Sequence, residues 1–314
     1  MPFSIRLVTT WSGPLPKYLP LFLGTAAHNP TVEFLFVADS PQPYALPSNV
    51  RWVERSLPDL LNGMSDRLGC DLRRAEPFKL CDVRPAFGVA LADLLEGCDF
   101  WGNVDCDLVL GNLRAFATDE RLANHDILSF KGRRYVHGPL TLWRNDEAIN
   151  RIYELADWRR TFEAAEYLGF DETCKRWGSD RNPRTVAERR ARGEMACISD
   201  VVYTMPPEIA PRIYDGNHIE EGEPYRPPYA LRWEDGTLYD TVRRHPLAFY
   251  HLLWTKRDPT YELPEWRWDE LPDRFGITRR TIGLVGFNFY TTRIRGAGHV
   301  STHRLMRVVR RLKG

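Results

Sequence analysis

The residues best suited to chemistry are Asp105 and Asp107, which flank Cys106 in the segment Asp99-Phe-Trp-Gly-Asn-Val-Asp-Cys-Asp-Leu-Val-Leu-Gly111. The apolar residues of this segment predict a buried strand that ends near the two acids. In extended backbone, residues i and i+2 point to the same face, so the two carboxylates can converge on one point. Carboxylates in an apolar setting need a cation, and a hard divalent ion prefers oxygen ligands. Cys106 should point the opposite way, into the core, and is not predicted to be a ligand.

The elements that must position these acids alternate between strand and helix. The sequence predicts strands over 3–10, 32–38, 50–55 and 100–110, and helices over 17–28 and 85–95. The second strand is continuously apolar, as expected of a parallel strand that is buried on both faces. This alternation predicts an α/β fold with a doubly wound, mostly parallel sheet, which binds ligands at the carboxyl ends of its strands. Asp39, Asp105 and Asp107 all fall at such ends.

The second half of the chain is less regular. We expect partial helix over 157–191 with a loop around 178–183, and a strand or two over 281–294. The proline-rich segment 206–229 predicts irregular structure that wraps the surface. The sequence therefore gives no sharp domain boundary.

Composition excludes several classes of protein. The 43 basic residues nearly balance the 42 acidic ones, so no overall field favours nucleic acid. No apolar run is long enough for a transmembrane helix, and the amino terminus lacks a signal-peptide pattern. The six cysteines form no C-x-x-C pair, which predicts reduced thiols in a cytoplasmic protein.

Two long segments carry a resemblance to a known family. Pro77-Phe-Lys-Leu-Cys-Asp-Val-Arg-Pro-Ala-Phe-Gly88 and Cys98-Asp-Phe-Trp-Gly-Asn-Val-Asp-Cys-Asp-Leu-Val-Leu-Gly-Asn-Leu113 resemble a bacterial family of glycosyltransferase-like proteins from surface-polysaccharide clusters, long classed as a domain of unknown function. Gly138-Pro-Leu-Thr-Leu-Trp-Arg-Asn145 and Gly169-Phe-Asp-Glu172 are also similar to that family. The resemblance covers about residues 3–175. It implies the GT-A fold, a nucleoside-diphosphate sugar as donor, and Mn²⁺ or Mg²⁺ bound by Asp105 and Asp107.

Three charged residues surround the predicted start of the helix over 85–95. Helix amino termini offer free N–H groups and the positive end of the dipole. Lys79 and Arg84 would suit a phosphate there, and Asp82 a ribose hydroxyl or a base N–H. The alternative is that Asp82 caps the helix while the two cations are solvated.

The resemblance also implies a nucleoside end for the site. In GT-A enzymes the end of the first strand meets the base and ribose, which indicates Thr9 and Trp11, and Asp39 after the second strand often joins them. Trp11 would equally suit a packed core position.

A sugar end is implied by Gly138, Asp171 and Glu172. Related enzymes place a glycine beside the donor sugar because a bare backbone allows close approach. Asp171 or Glu172 would be a general base in an inverting enzyme, or would support the donor sugar in a retaining one. The alternative is an acid pair at a helix amino terminus.

A late histidine and lysine complete the predicted set. His251 and Lys256 lie in Phe249-Tyr-His-Leu-Leu-Trp-Thr-Lys256, which is similar to a glycogenin-type H-F-x-G-x-x-K pattern without its glycine and with the lysine one residue early. The resemblance implies His251 as a metal ligand and Lys256 on the diphosphate. A structural histidine is the alternative.

We assign 1–255 to a GT-A catalytic domain and 256–314 to a C-terminal extension packed on it. The extension ends in a basic amphipathic helix over 302–313, which could lie on anionic lipid at the inner face of the membrane or dock on the protein. The expected partners are a nucleoside-diphosphate sugar, above all a UDP-sugar, and a saccharide or lipid-linked acceptor, with no nucleic acid. A nucleotidyltransferase of the same architecture and a non-catalytic carbohydrate-binding protein remain as alternatives.

Overall fold

The computed structural model describes residues 2–132, 135–176, 178–222 and 230–284. The predicted basic helix over 302–313 lies outside these residues, as do most of 281–294 and the end of the proline-rich segment. Within the described ranges, the strands are β1 (Ile5–Trp11), β2 (Val32–Ala38), β3 (Val50–Glu54), β4 (Phe100–Val104), β5 (Leu108–Leu110), β6 (Ile127–Ser129), β7 (Leu140–Arg144), β8 (Ile213–Asp215), β9 (Ile219–Glu221), β10 (Leu231–Glu234), β11 (Thr237–Asp240), β12 (His245–Leu247), β13 (Phe249–His251), β14 (Arg274–Ile277) and β15 (Ile282–Leu284).

The helices of the same ranges are short. They are α1 (Leu19–Ala27), α2 (Leu57–Leu68), α3 (Leu80–Val83), α4 (Phe87–Ala90), α5 (Ala92–Leu95), α6 (Asp119–Asn124), α7 (Glu147–Asn150), α8 (Trp158–Phe162), α9 (Val186–Ala191) and α10 (Ile198–Thr204). Single 3₁₀ turns also occur, notably Pro77–Lys79 and Arg84–Ala86. No helix among the described residues has both the length and the apolar character needed to cross a membrane.

The chain forms two compact units, each assembled from separate segments. The first unit consists of Met1–Leu15, Pro30–Asp105 and Phe116–Asn217. The second consists of Pro16–Asn29, Cys106–Ala115 and the described part of His218–Gly314. The boundary between the units thus falls between Asp105 and Asp107.

The first unit is built on a seven-stranded sheet in the order β3-β2-β1-β4-β7-β6-β8. β1 pairs in parallel with β2 and β4, and β2 with β3, whereas β7 runs antiparallel to both β4 and β6. β6 and β8 are again parallel. β4 is buried along its whole length and β2 at all but one position, as the apolar runs predicted. The predicted α/β class with a mostly parallel central sheet is confirmed.

The core of this unit joins the sheet to the helices that cover it. Leu60, Leu61 and Met64 of α2 pack in one cluster with Trp101 of β4 and Trp143 of β7. The two indoles stack with ring centroids 5.6 Å apart. This core supports the carboxyl ends of β1 and β4, from which the predicted site residues follow.

The second unit contains two smaller sheets. One is antiparallel throughout, in the order β12-β11-β10-β14-β15. In the other, β13 lies between β5, to which it is antiparallel, and β9, to which it is parallel. Trp233 of β10 packs in the core of the unit, and its indole donates to the carbonyl of Leu110 at 2.9 Å. Asp107 directly precedes β5, and β13 ends at His251.

Two predicted elements are interrupted where the sequence pattern was continuous. The strand over 100–110 is divided, because Asp105, Cys106 and Asp107 lie between β4 and β5. The two acids are therefore not positioned by the alternation of one extended strand. The helix over 85–95 is also divided, since Leu91 leaves helical geometry with φ −122° and ψ 28°.

Candidate functional site

In the first unit, Arg84 connects several of the predicted site residues. Its guanidinium donates to the carboxylate of Asp105, to the carbonyl of Gly138 at 3.0 Å and to Oδ2 of Asp171 at 3.4 Å. Burial opposes the charge of Arg84, but Asp105 in particular, with Asp171, outweighs it and raises the pKa of the guanidinium. Arg84 is thus a fixed cation between two acids from distant parts of the chain.

Gly138 lies directly against the predicted acid pair. Its backbone N–H donates to Oε1 of Glu172 at 3.0 Å, and its carbonyl accepts from the side chain of Asn103. A Cβ atom at this position would lie 2.7 Å from Oδ2 of Asp171, closer than real Cβ contacts. Gly138 thus makes a close approach to Asp171 and Glu172, and the approach of a donor sugar to it stays a prediction.

Asp171 is buried beneath this surface, with 2% of the residue exposed. Its Oδ1 accepts from the hydroxyl of Tyr167 at 2.9 Å. Burial raises the pKa of Asp171 well above its ordinary value, because the opposing effect of Arg84 is smaller and Glu172 adds a like charge. A carboxyl group with a raised pKa keeps its proton to a higher pH than an ordinary aspartate, which suits proton transfer.

Lys79 and Asp82 have a structural role in the described contacts. The ammonium of Lys79 is fully buried and donates to Asp82 at 2.8 Å and to the carbonyls of Thr161 and Glu166. Asp82 also accepts from the backbone N–H groups of Leu168 and Phe170. The three hydrogens of the ammonium are thereby occupied. The pair holds the segment that leads into Asp171 and Glu172, and offers no donor to a phosphate in this arrangement.

The predicted nucleoside end lies at the carboxyl ends of β1 and β2. The hydroxyl of Thr9 is buried and donates to the carbonyl of Val104 at 2.7 Å, while the indole of Trp11 donates to the carbonyl of Pro14. Asp39 is exposed and accepts from the hydroxyl of Ser12 and from the N–H of Gly13. The bonds of Trp11 and Asp39 fix the loop that follows β1, and the exposed Asp39 stays accessible to a ligand.

In the second unit, Asp107 is the centre of a polar cluster. Its Oδ2 accepts from the ammonium of Lys256 and lies 3.1 Å from Nε2 of His251. Asp107 and His251 are both buried. Burial alone would raise the pKa of Asp107, but His251 and then Lys256 outweigh it and hold that pKa well below its usual range. Asp107 is accordingly an ionised carboxylate.

Glu221 is a buried acid that the sequence did not single out. It lies on β9 and pairs in register with His251 of β13. A carboxylate oxygen of Glu221 lies within 4.8 Å of an imidazole nitrogen of His251. The segment around Glu221 reads as proline-rich and irregular, so only the strand pairing reveals this neighbour. Two adjacent glutamates in a short stretch that could form a strand are common in proteins, so this pattern does not identify Glu221 as a site residue.

These side chains fit a divalent cation. Two adjacent ligands of an octahedral ion with bonds of about 2.1 Å lie about 3 Å apart. The 3.1 Å between Oδ2 of Asp107 and Nε2 of His251 matches that spacing. The ammonium of Lys256 on the same carboxylate shows that this position already attracts a cation. Carboxylate with imidazole suits Mn²⁺ and is compatible with Mg²⁺.

The predicted site residues therefore gather in two clusters, one in each unit. The first contains Arg84, Asp105, Gly138, Asp171 and Glu172, and the second contains Asp107, His251 and Lys256. Lys79 and Asp82 support the first cluster from the core, and Thr9, Trp11 and Asp39 lie at the carboxyl ends of β1 and β2. Cys106 is buried, as predicted.

By its fold and sequence, this is an α/β protein with acidic clusters at strand ends. The chain belongs to a family of unknown function, DUF6625, whose model matches residues 7–261. This agrees with the resemblance to a family long classed as a domain of unknown function. A search of curated proteins finds no match.

Three solved structures are similar in backbone. The galactosyltransferase LgtC with donor and acceptor sugar analogues is 12% identical, covers 78% of this chain and 86% of its own, and has a TM-score of 0.39. An active-site mutant of LgtC is 11% identical with the same coverage and a TM-score of 0.41. Mouse xyloside xylosyltransferase 1 without ligand is 8% identical, covers 70% and 87%, and has a TM-score of 0.36. At these identities and TM-scores, the similarity supports no statement about the function of this protein.

Proposed function

We propose that this protein is a metal-dependent glycosyltransferase of the GT-A fold. Its donor is a nucleoside-diphosphate sugar, which we take to be a UDP-sugar, and its acceptor is a hydroxyl of a saccharide or lipid-linked saccharide. The observation that carries the proposal is the contact of Asp107 with His251 and Lys256. An ionised carboxylate, an imidazole and an ammonium group at one point suit a divalent cation together with a diphosphate.

Asp107 and His251 are the proposed ligands of Mn²⁺ or Mg²⁺. Asp105, two residues earlier in the D-x-D motif, and Glu221, beside His251, are the further carboxylates of this set. When bound, the ion would neutralise negative charge on the leaving diphosphate as a Lewis acid.

Lys256 and Arg84 are the proposed cations for the diphosphate. Each now bonds a carboxylate, so each is already held by a charge-assisted hydrogen bond. A phosphate group would compete with those carboxylates for the same donors.

Trp11, Asp39 and the loop after β1 remain the proposed nucleoside end, because that loop follows the carboxyl end of a central parallel strand.

Asp171 and Glu172 are the proposed sugar end. Both acids lie directly against the backbone of Gly138, which supports a common sugar end at the start of β7. The raised pKa of Asp171 supports a role in proton transfer to or from the acceptor hydroxyl.

The six cysteines are all free thiols, which supports a reducing compartment such as the cytoplasm.

The experiment is to incubate the protein separately with UDP-glucose, UDP-galactose, UDP-N-acetylglucosamine and GDP-mannose, with Mn²⁺ or with EDTA. We expect slow metal-dependent release of nucleoside diphosphate from one donor, because water replaces the missing acceptor. Release of pyrophosphate would instead identify a nucleotidyltransferase. No cleavage of any donor, together with no metal-dependent binding, would favour a non-catalytic protein.

A further inference from the structure

An exposed phenylalanine lies next to the acid cluster of the first unit. Phe78 is 60% exposed, although Lys79, its neighbour in the same 3₁₀ turn, is fully buried. A single exposed apolar residue is ordinary and by itself indicates nothing. What distinguishes Phe78 is the set of groups that it contacts.

Phe78 contacts a second aromatic ring that is bonded to Asp171. The rings of Phe78 and Tyr167 have centroids 4.8 Å apart and an interplanar angle of 65°. The hydroxyl of Tyr167 donates to Oδ1 of Asp171 at 2.9 Å. The aromatic surface is therefore continuous with the carboxyl group that we assign to the sugar end.

Both rings are held in place from the core. Phe78 precedes Lys79, whose ammonium is bonded to three acceptors. Tyr167 lies between Glu166, whose carbonyl accepts from Lys79, and Leu168, whose N–H donates to Asp82. Because these bonds are buried or partly buried, the two rings are prepositioned, and a ligand would not have to order them on binding.

The exposed ring suits a particular ligand chemistry. A sugar ring has a face of C–H groups, which are weakly positive and pack on the negative face of an aromatic ring. Its hydroxyls need hydrogen-bond partners at the edge. The exposed side chain of Lys175, with Nζ 5.2 Å from the ring centroid of Tyr167, supplies a donor there.

We propose that Phe78 and Tyr167, the aromatic pair, bind the acceptor saccharide of the reaction and direct one of its hydroxyls toward Asp171. This inference rests on the proposed function, since it assigns the acceptor to that same site. Phe78 contributes the stacking surface, and Tyr167 joins that surface to the carboxyl group.

Saturation-transfer NMR tests the aromatic pair. The protein is mixed with UDP and Mg²⁺, which does not broaden the lines as Mn²⁺ would, and with methyl α-glucoside, methyl β-galactoside, maltose or lactose in turn. We expect saturation transfer to the ring protons of at least one saccharide. Phe78→Ala should weaken that binding about tenfold or more, whereas Phe78→Tyr should keep it.

Leu155→Ala is the matched control, because Leu155 is also an exposed apolar residue in a 3₁₀ helix of the same unit. It should leave saccharide binding unchanged. The proposal is overturned if none of the four saccharides receives saturation, or if Phe78→Ala binds as the natural protein does. UDP signals in the same samples report on the proposed function separately: if UDP does not bind in the presence of Mg²⁺, the nucleotide assignment fails, whatever the saccharides do.

Discussion

Asp107 and Asp171 are two buried aspartates whose surroundings shift their pKa values in opposite directions. Asp107, in the second unit, bonds Lys256 and contacts His251, and its pKa is held low. Asp171, in the first unit, has Arg84 at 3.4 Å as its cation, and its pKa is raised. Arg84 also donates to Asp105, so its positive charge is divided between two carboxylates and only partly offsets the burial of Asp171.

The comparison shows that burial alone does not decide the charge of these acids. Both are desolvated, so the number and closeness of cations determine the outcome. A carboxylate that stays ionised suits a cation, whereas one with a raised pKa suits proton transfer.

The largest expected effect is on Asp107. Asp107→Asn keeps the shape but removes the charge, and should lower metal-dependent release of nucleoside diphosphate by about 10³-fold, corresponding to about 4 kcal/mol. Asp105→Asn should be severe but smaller, because Asp107 and His251 remain. Steady-state turnover with Mn²⁺ is the measurement, and circular dichroism checks folding. Near-native turnover of Asp107→Asn would remove the basis for the metal assignment.

Substitutions of the acid pair should affect turnover but not nucleotide binding. Asp171→Asn or Glu172→Gln should lower turnover by about 10²-fold, with Asp171 the more damaging, because a general base contributes about that much. UDP affinity, measured by calorimetry, should stay as in the natural protein. If both variants lose UDP binding, the pair supports the fold or the nucleotide end instead. If both keep full turnover, the catalytic assignment is wrong.

Substitutions of Arg84 and Lys79 should have different effects, the first on UDP binding and the second on the stability of the fold. Arg84→Lys should weaken UDP more than uridine, by about 1.5–3 kcal/mol, because it loses the planar fork and its charge-assisted bond. Lys79→Met should instead lower the stability by about 3–5 kcal/mol, since it leaves Asp82 buried without its cation. Chemical denaturation and UDP titration of both variants measure the contrast. A selective loss of UDP affinity in Lys79→Met would restore Lys79 to the diphosphate site.

The smallest expected effect is a pH dependence of stability. Because the pKa of Asp171 is raised above 3.8, the folded protein binds a proton that the unfolded chain releases in the window above that value. Stability due to this group should therefore fall as the pH rises from about 4 toward the raised pKa, by at most about 1.4 kcal/mol per pH unit. Melting temperatures of the natural protein and Asp171→Asn across this range provide the test. Parallel curves would show that Asp171 titrates normally.

Much of the first unit follows from the sequence, because local patterns determine its strands. The apolar run of β2 coincides with the structure residue for residue, and the strands predicted over 3–10 and 50–55 shift by only one or two residues. Asp39 and Asp105 directly follow β2 and β4, although the single strand predicted over 100–110 is divided after Val104. Such patterns are local, so burial of each segment is enough to fix them.

The rest depends on contacts that are distant in the chain. Lys79 reads as a surface cation until the carbonyls of Thr161 and Glu166, 82 and 87 residues away, are brought to it. Glu221 becomes a candidate only through its pairing with His251. The second unit combines three separate segments, and no local sequence pattern predicts that these segments pack together.

The most direct measurement is calorimetric titration of UDP into the natural protein and into Asp107→Asn, each in Mn²⁺ and in EDTA. If Asp107 binds the metal ion, Mn²⁺ should tighten UDP binding at least tenfold in the natural protein and have no such effect in Asp107→Asn. Equal UDP affinity with Mn²⁺ and with EDTA in the natural protein would contradict it.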